Sequence, residues 1–235
     1  MCKPIPEPVA VLTGAGVSAE SGVPTFRGER GLWRSFRPEQ LATPEAFRRD
    51  PALVWEWYDW RRGLIGSCVP NAAHQTLAEM EATLPDFTLI TQNVDGLHQA
   101  AGSQNVLELH GNIWRTRCTR CGRTSEDHQV PLSEIPPHCS QCGALLRPDV
   151  VWFGESLPSQ VLDAAWTAAA RCHLMLVVGT SALVQPAASL PLEALRHGAR
   201  LVEVNPAETP LSPHAHEILR GSAADVLPGW WEIHH

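Results

Sequence analysis

Apolar and polar residues are grouped along this chain in blocks, and the block lengths predict a sheet flanked by helices. Five short apolar runs stand out: Val9-Ala10-Val11-Leu12, Phe87 to Thr91, Val106 to Leu109, Leu174 to Val178 and Leu201 to Val204. They are short and largely unbroken, as expected of strands buried on both faces. Between them lie helical patterns. Ala73, Leu77, Met80 and Leu84 are spaced four, three and four apart, which makes one helix face. Residues 159–170 and 186–196 also read as helices. Asp50-Pro51 reads as an N-cap followed by a proline at the first helical position. Strands alternating with helices predict an α/β fold, a mainly parallel sheet with helices on both faces.

Two segments interrupt the alternation. Residues 31–70 are rich in Trp, Arg and Pro and read as a helical insert. In its helix, Leu53, Trp57, Trp60 and Leu64 form one stripe, and Val54, Tyr58, Arg61 and Ile65 form the next. Tyr58 and Arg61 are therefore neighbours on one face. An arginine in so apolar a patch is costly unless paired. From the pattern alone, Arg61 either reaches solvent or finds a Glu or Asp. Residues 113–148 have little periodicity and too little core to fold alone, so they read as a small module that a metal organises. Residues 1–30, 71–112 and 149–235 are left as the main domain.

Composition narrows the class. The chain has 235 residues, 44% hydrophobic and 18% charged, with a net charge of −7. That suits one globular core with a small satellite and argues against disorder. It also argues against a strong electrostatic grip on nucleic acid. No apolar run approaches the roughly 20 residues of a membrane span, and no signal core follows Met1. A cytoplasmic protein without a membrane partner is expected; the oligomeric state is left open.

Four of the seven cysteines form two pairs, Cys118-Thr119-Arg120-Cys121 and Cys139-Ser140-Gln141-Cys142, each followed by a glycine. Four thiolates at this spacing close a tetrahedral zinc site with no position left for water, so a structural Zn2+ is expected. A redox dithiol is the rival, and the matched turns favour zinc. Cys2, Cys68 and Cys172 stand alone and read as buried thiols. The end, Trp230 to His235, reads as an apolar docking tail.

The chemistry begins at Gly14-Ala15-Gly16-Val17-Ser18-Ala19, directly after the first apolar run. This matches G-x-G-x-x-G/A, in which glycines let the backbone approach a pyrophosphate at a helix N-terminus, and it makes the expected sheet Rossmann-like. The acidic residue a dehydrogenase needs about 20 positions on is missing, because that window is Trp33-Arg34-Ser35-Phe36. Ser21 to Gly28 reads instead as a loop that folds over a ligand. Thr91-Gln92-Asn93-Val94-Asp95 ends another strand with amides and a carboxylate, either a nucleotide contact or a polar turn. Of eleven histidines, His110 is the candidate general base, since it ends a strand beside these loops.

Together these motifs resemble the sirtuin family. The resemblance is carried by Gly14 to Arg27, Thr91 to Asp95, His110-Gly111-Asn112, the four cysteines, Arg147 to Glu155, and Val178-Gly179-Thr180-Ser181, all in family order. It implies an NAD-dependent protein deacylase with NAD as co-substrate. The acyl-lysine oxygen attacks the ribose carbon bearing nicotinamide, and His110 acts as base on a ribose hydroxyl. Nicotinamide, free lysine and O-acyl-ADP-ribose leave.

The resemblance also implies residue roles. Gly14, Ala15, Gly16, Glu20, Thr25, Phe26 and Arg27 belong to the loop around NAD. Gln92, Asn93, Val94 and Asp95 shape the nicotinamide and ribose pocket. Gly179, Thr180, Ser181, Asn205 and Ala223 match the adenosine side. Val151, Trp152, Phe153, Gly154 and Glu155 resemble a strand that pairs with the substrate backbone.

Tyr58 and Arg61 resemble the class III pair that binds an acyl group ending in a carboxylate, and Ala42 the small residue that makes room for it. Desuccinylation and demalonylation, with weaker deacetylation of acyl-lysine proteins, are thus expected. Asp149 stands where some class III relatives have histidine, leaving the rank among acyl groups open. Three other classes compete. A nicotinamide dehydrogenase leaves the cysteines unexplained. A zinc-ribbon nucleic-acid binder would use Arg115, Arg117, Arg120 and Arg123 but opposes the net charge. A protein ADP-ribosyltransferase would use the same NAD pocket.

Overall fold

The computed structural model describes residues 5–25 and 37–234. Phe26, Arg27, Cys2, His235 and the window Trp33 to Phe36 lie outside them. Six strands form the main sheet: β1 (Val9–Thr13), β2 (Phe87–Thr91), β3 (Val106–Glu108), β7 (Leu174–Val178), β8 (Arg200–Val204) and β9 (Glu217–Leu219). Their order is β3-β2-β1-β7-β8-β9, and each pairing is parallel. The expected α/β architecture is therefore present. Every residue of β1 and β7 is buried, which is why those runs show no alternation.

Alternate residues feed opposite layers. Val9, Val11, Leu174, Leu176 and Val178 face α4 (Ala72–Thr83) and α8 (Ala223–His234). Ala10, Leu12, Met175 and Val177 face α6 (Ser159–Arg171) and α7 (Leu190–Arg196). The segment expected to be helical from 186 begins as a 3-10 turn, Ala187–Ser189, before α7. The glycine loop also runs into a 3-10 turn, Ala15–Ser21, in place of the expected α-helix, and Gly22 stops it at φ 93. The C-terminal tail is the end of a helix: Trp230 and Trp231 form the buried face of α8 and dock into the main core.

The helical insert contains α1 (Pro38–Leu41), α2 (Pro44–Arg49) and α3 (Pro51–Gly66). Asp50 caps α3, its Oδ1 accepting the Leu53 N–H at 3.0 Å. The two stripes of α3 have different fates. Val54, Tyr58, Arg61 and Ile65 are buried, whereas Leu53, Trp60 and Leu64 are exposed and only Trp57 of the first stripe is inside. Beneath α3 lies a three-stranded antiparallel sheet, β5-β4-β6, made of β4 (Gly111–Cys118), β5 (Thr124–Glu126) and β6 (Leu146–Val150). Arg62 locks the two together. Its Nε donates to the Ile113 carbonyl at 2.9 Å, and Nη1 pairs with Asp127 at 3.3 Å. The guanidinium lies between the rings of Trp55 and Trp114.

Candidate functional site

The carboxyl ends of β1, β2, β7 and β8 open onto one cavity of about 660 Å³. Ligands bind at this end of a parallel sheet because the connecting loops diverge there. The β1 loop supplies Gly14, Ala15, Gly16 and Glu20, with Thr25 beyond them. The β2 end adds Gln92, Asn93 and Val94, the β7 end Gly179, Thr180 and Ser181, and the β8 end Asn205. Tyr58, Arg61 and Ala42 reach in from the insert. His110 and residues 151–155 complete the wall. Two expected residues stand back from it. Asp95 is buried behind Asn93, and Ala223 is packed in the core while its neighbour Ser222 faces the cavity.

The glycine loops meet main chain to main chain. The Gly16 N–H donates to the Gly179 carbonyl at 2.7 Å, and the Gly14 N–H to the Val178 carbonyl at 3.1 Å. A Cβ on Gly16 would sit 2.7 Å from the Gly179 oxygen, and one on Gly179 would sit 2.3 Å from the Val17 nitrogen. Gly179 also has φ 62, which disfavours any side chain.

His110 is half-buried, and its Nδ1 lies 2.9 Å from the Gln92 carbonyl. A carbonyl only accepts, so Nδ1 carries the proton and Nε2 keeps its lone pair. Burial lowers its pKa and the Gln92 carbonyl partly restores it, so the imidazole is neutral and basic at Nε2. A residue of this type at this place suits a general base.

Behind Asn93 lies a polar network that no motif disclosed. Asn71 N–H donates to His74 Nδ1 at 3.3 Å, leaving His74 Nε2–H to donate to Ser18 Oγ at 3.2 Å. Ser18 Oγ also accepts from Asn93 Nδ2 at 3.1 Å and donates to Asp95 Oδ2 at 2.8 Å. Asp95 Oδ1 accepts the Leu97 N–H at 3.0 Å, and its carbonyl accepts Trp114 Nε1–H at 2.7 Å. Burial raises the Asp95 pKa, while the Leu97 and Ser18 hydrogen bonds and Arg61 oppose it. His98 Nε2 sits 3.0 Å from Thr13 Oγ1, and the two imidazole rings are 4.9 Å apart. Burial drops His74 to about 4 and His98 to about 3. Both are therefore neutral: His74 holds Ser18, which fixes the Asn93 amide, and His98 holds Thr13.

A second network shapes the opposite wall. The Glu203 carboxylate, buried on β8, accepts from the Thr209 hydroxyl, from Ser212 Oγ at 2.5 Å and from Arg220 Nη1 at 3.1 Å. Arg220 also donates to the Ala207 carbonyl at 3.1 Å. These bonds hold the loop 205–210, whose residues after Asn205 were not anticipated as cavity wall.

The third wall carries Tyr58 and Arg61. Both are buried, so the helix pattern's option of Arg61 reaching solvent is excluded. The Arg61 guanidinium stands 5.0 Å from the Trp57 ring centre. Burial lowers its pKa, and Tyr58 and Asp95 oppose that. The Tyr58 pKa is raised by burial, so the phenol keeps its proton. Residues 151–155 are not the expected strand. β6 ends at Val150, and the chain turns at Phe153-Gly154, with Gly154 at φ 88. Glu155 closes that turn on itself, its carboxylate accepting the Trp152 N–H at 2.9 Å and its own N–H donating to the Trp152 carbonyl at 3.0 Å. The Val151 and Phe153 N–H groups donate to the carbonyls of His110 and Ala42, both at 2.9 Å, which ties the base to the insert.

The cysteine cluster lies in the small sheet, outside the cavity lining. Cys118 and Cys142 sulfurs are 3.4 Å apart, Cys121 and Cys139 sulfurs 3.8 Å, and all four lie within 4.8 Å of one another. A tetrahedron with metal–sulfur bonds of about 2.3 Å has edges of about 3.8 Å, so the four fit one zinc ion. Arg115 and Arg117 are engaged by Glu108 and Asp149, which weakens the idea of a basic nucleic-acid face. Cys172 is buried, with a thiol pushed up to about 11, while Cys68 is only half-buried. No helix among the described residues is long and apolar enough to cross a membrane.

The Sir2 family model matches residues 14–186. A protein of Aquifex aeolicus named NAD-dependent protein deacylase is 59% identical over 87% of this chain and 85% of its own length. One of Caldanaerobacter subterraneus named NAD-dependent protein deacylase 1 is 58% identical over 92% of this chain and 89% of its own. A crystal structure described as a Sir2 homolog–NAD complex superposes with a TM-score of 0.90 at 52% identity, covering 95% of this chain and 88% of that one.

Proposed function

The chain belongs to the Sir2 family, and on that premise we propose that it is an NAD-dependent protein-lysine deacylase that removes succinyl and malonyl groups and, more weakly, acetyl groups. The observation that carries this reading is a single cavity bounded by the glycine loops on one side and by Tyr58 and Arg61 on the other, with His110 on its wall. Gly14 to Gly16, Thr180, Ser181 and Asn205 would hold NAD, which supplies a ribose carbon made electrophilic by its nicotinamide leaving group. The Ser18–His74–Asp95 network keeps the Asn93 amide in place. His110 takes a proton at Nε2 while its Nδ1–H stays on Gln92.

The acyl preference follows from charge. A guanidinium removed from water favours an anionic partner, and a carboxylate accepts from both Arg61 and Tyr58, whereas an acetyl methyl offers neither an acceptor. Residues 151–155 rim the cavity and serve as the peptide contact. The four cysteines hold a structural zinc. The division into a main domain (1–30, 71–112, 149–235), an acyl-selecting insert (31–70) and a zinc module (113–148) belongs to the same reading.

The test is one peptide bearing acetyl-, malonyl- or succinyl-lysine, with nicotinamide and O-acyl-ADP-ribose as the measured products. Succinyl turnover should exceed acetyl turnover, and Arg61→Met should lower it by about 100-fold or more, the loss of a charge-assisted pair. Turnover of succinyl-lysine that survives Arg61→Met sinks the acyl assignment. His110→Tyr should abolish turnover of every acyl group. Label from NAD appearing on protein would favour an ADP-ribosyltransferase.

A further inference from the structure

Trp152 is buried against the acyl wall, and its indole Nε1 lies 3.0 Å from the Tyr58 oxygen. An indole N–H only donates, so it occupies a lone pair of the phenol oxygen. The phenol still has its own hydrogen to give. Among the described residues the Tyr58 hydroxyl makes no other hydrogen bond, and Tyr58 borders the cavity. A phenol held this way presents a donor, as the neighbouring Arg61 does.

The indole is itself clamped. The Arg147 guanidinium lies 3.5 Å from its ring centre and is bound to both Glu155 oxygens, at 2.5 and 2.8 Å. Glu155 in turn accepts the Trp152 main-chain N–H at 2.9 Å. Phe47 packs on the same ring at 5.2 Å. The indole therefore has little freedom to turn its N–H elsewhere.

We propose that Trp152 is a positioning residue for acyl selection: by occupying the Tyr58 oxygen it converts the phenol into a hydrogen-bond donor that acts with Arg61 on an anionic acyl terminus. Without the indole the phenol can rotate and present its oxygen as an acceptor, which repels a carboxylate. The inference rests on the carboxylate-acyl reading above.

The test compares kcat and KM for succinyl- and acetyl-lysine peptides in wild type, Trp152→Phe, Tyr58→Phe and the double variant. Trp152→Phe should raise the succinyl KM about tenfold with a smaller effect on kcat, so the succinyl-to-acetyl ratio of kcat/KM falls. Added to Tyr58→Phe, it should change that ratio no further, because the relay is already gone. If Trp152→Phe does not fold, 3-benzothienylalanine at position 152 keeps the bicyclic ring and removes only the N–H. A ratio unchanged in these variants, or an equal loss on both peptides, overturns the role of Trp152 while leaving Arg61 in place. A wild type without succinyl preference, or an Arg61→Met variant that retains it, overturns the carboxylate reading itself and this inference with it.

Discussion

At the scale of the residue, burial sets the working state of the titratable groups. His110 must be neutral to accept a proton, and its pKa lies below the ordinary histidine value because it is buried. With His110 as the proposed base, lowering the pH through that reduced value should protonate Nε2 and stop turnover. The acid limb of kcat/KM, which reports the free enzyme, should therefore fall below about pH 6.5, the value of an exposed histidine. A limb above that value would assign the base to another group.

His74 and His98 act in the opposite account, that of stability. Their folded values, about 4 and about 3, lie below the unfolded value. Between these limits the unfolded chain binds the protons that the native chain refuses, so stability falls as pH falls below about 6.5. Each histidine should cost about 1.4 kcal/mol per pH unit there. Urea midpoints at pH 7, 6 and 5 should drop accordingly, and His74→Asn should flatten the slope. These residues were illegible in the sequence for a physical reason. Ser18, His74 and His98 lie in three separate segments, and their meaning arises only where the segments converge. The place of His110 in the cavity wall was legible because it closely follows an apolar run, which is itself a sequence property.

At the scale of the element, the loop after β8 is held by one carboxylate. Glu203→Gln keeps the shape but weakens the bonds to Ser212 and Arg220. The cavity wall formed by residues 205–210 should loosen, raising the KM for NAD about tenfold, or ~1.4 kcal/mol, with kcat little affected. Loss of kcat at unchanged KM would instead place Glu203 in the chemistry. Legibility at this scale follows length and burial. β1, β2, β7 and β8 were readable because each carries adjacent apolar residues, down to Leu89-Ile90 in β2 and Leu201-Val202 in β8. β9 has three residues at the sheet edge, with one glutamate, and gives no such run. α8 contains Pro228-Gly229, which breaks the helical periodicity of the sequence although the helix continues through them. The inner stripe of α3 was readable as a face, but which stripe would be inside depended on the small sheet beneath it. The turn at 153–154 escaped notice because Glu155 makes it with its side chain.

At the scale of the whole molecule, the small sheet reaches the polar network behind Asn93 through Trp114, whose indole donates to the Asp95 carbonyl. The four-cysteine cluster, outside the cavity lining, then has a route to the Asn93 amide. Removing the metal with a thiol-reactive reagent should release one zinc per chain and abolish hydrogen-exchange protection in residues 111–150 before that of β1 and β7. Activity should fall together with that protection. Full activity in a metal-free chain would show that the module is dispensable.

The meeting of Gly14 and Gly16 with Gly179 bears on the history open to this chain. Each missing Cβ faces the other loop's main chain, with only a Thr180 side-chain atom also near Gly14. A clash with a side chain can be relieved by shrinking the neighbour, but a carbonyl or a peptide nitrogen cannot be shortened by mutation. No compensating second change is available, so descent cannot wander at these positions one step at a time. Every surviving lineage that keeps this cavity must inherit the bare backbone on both sides of it.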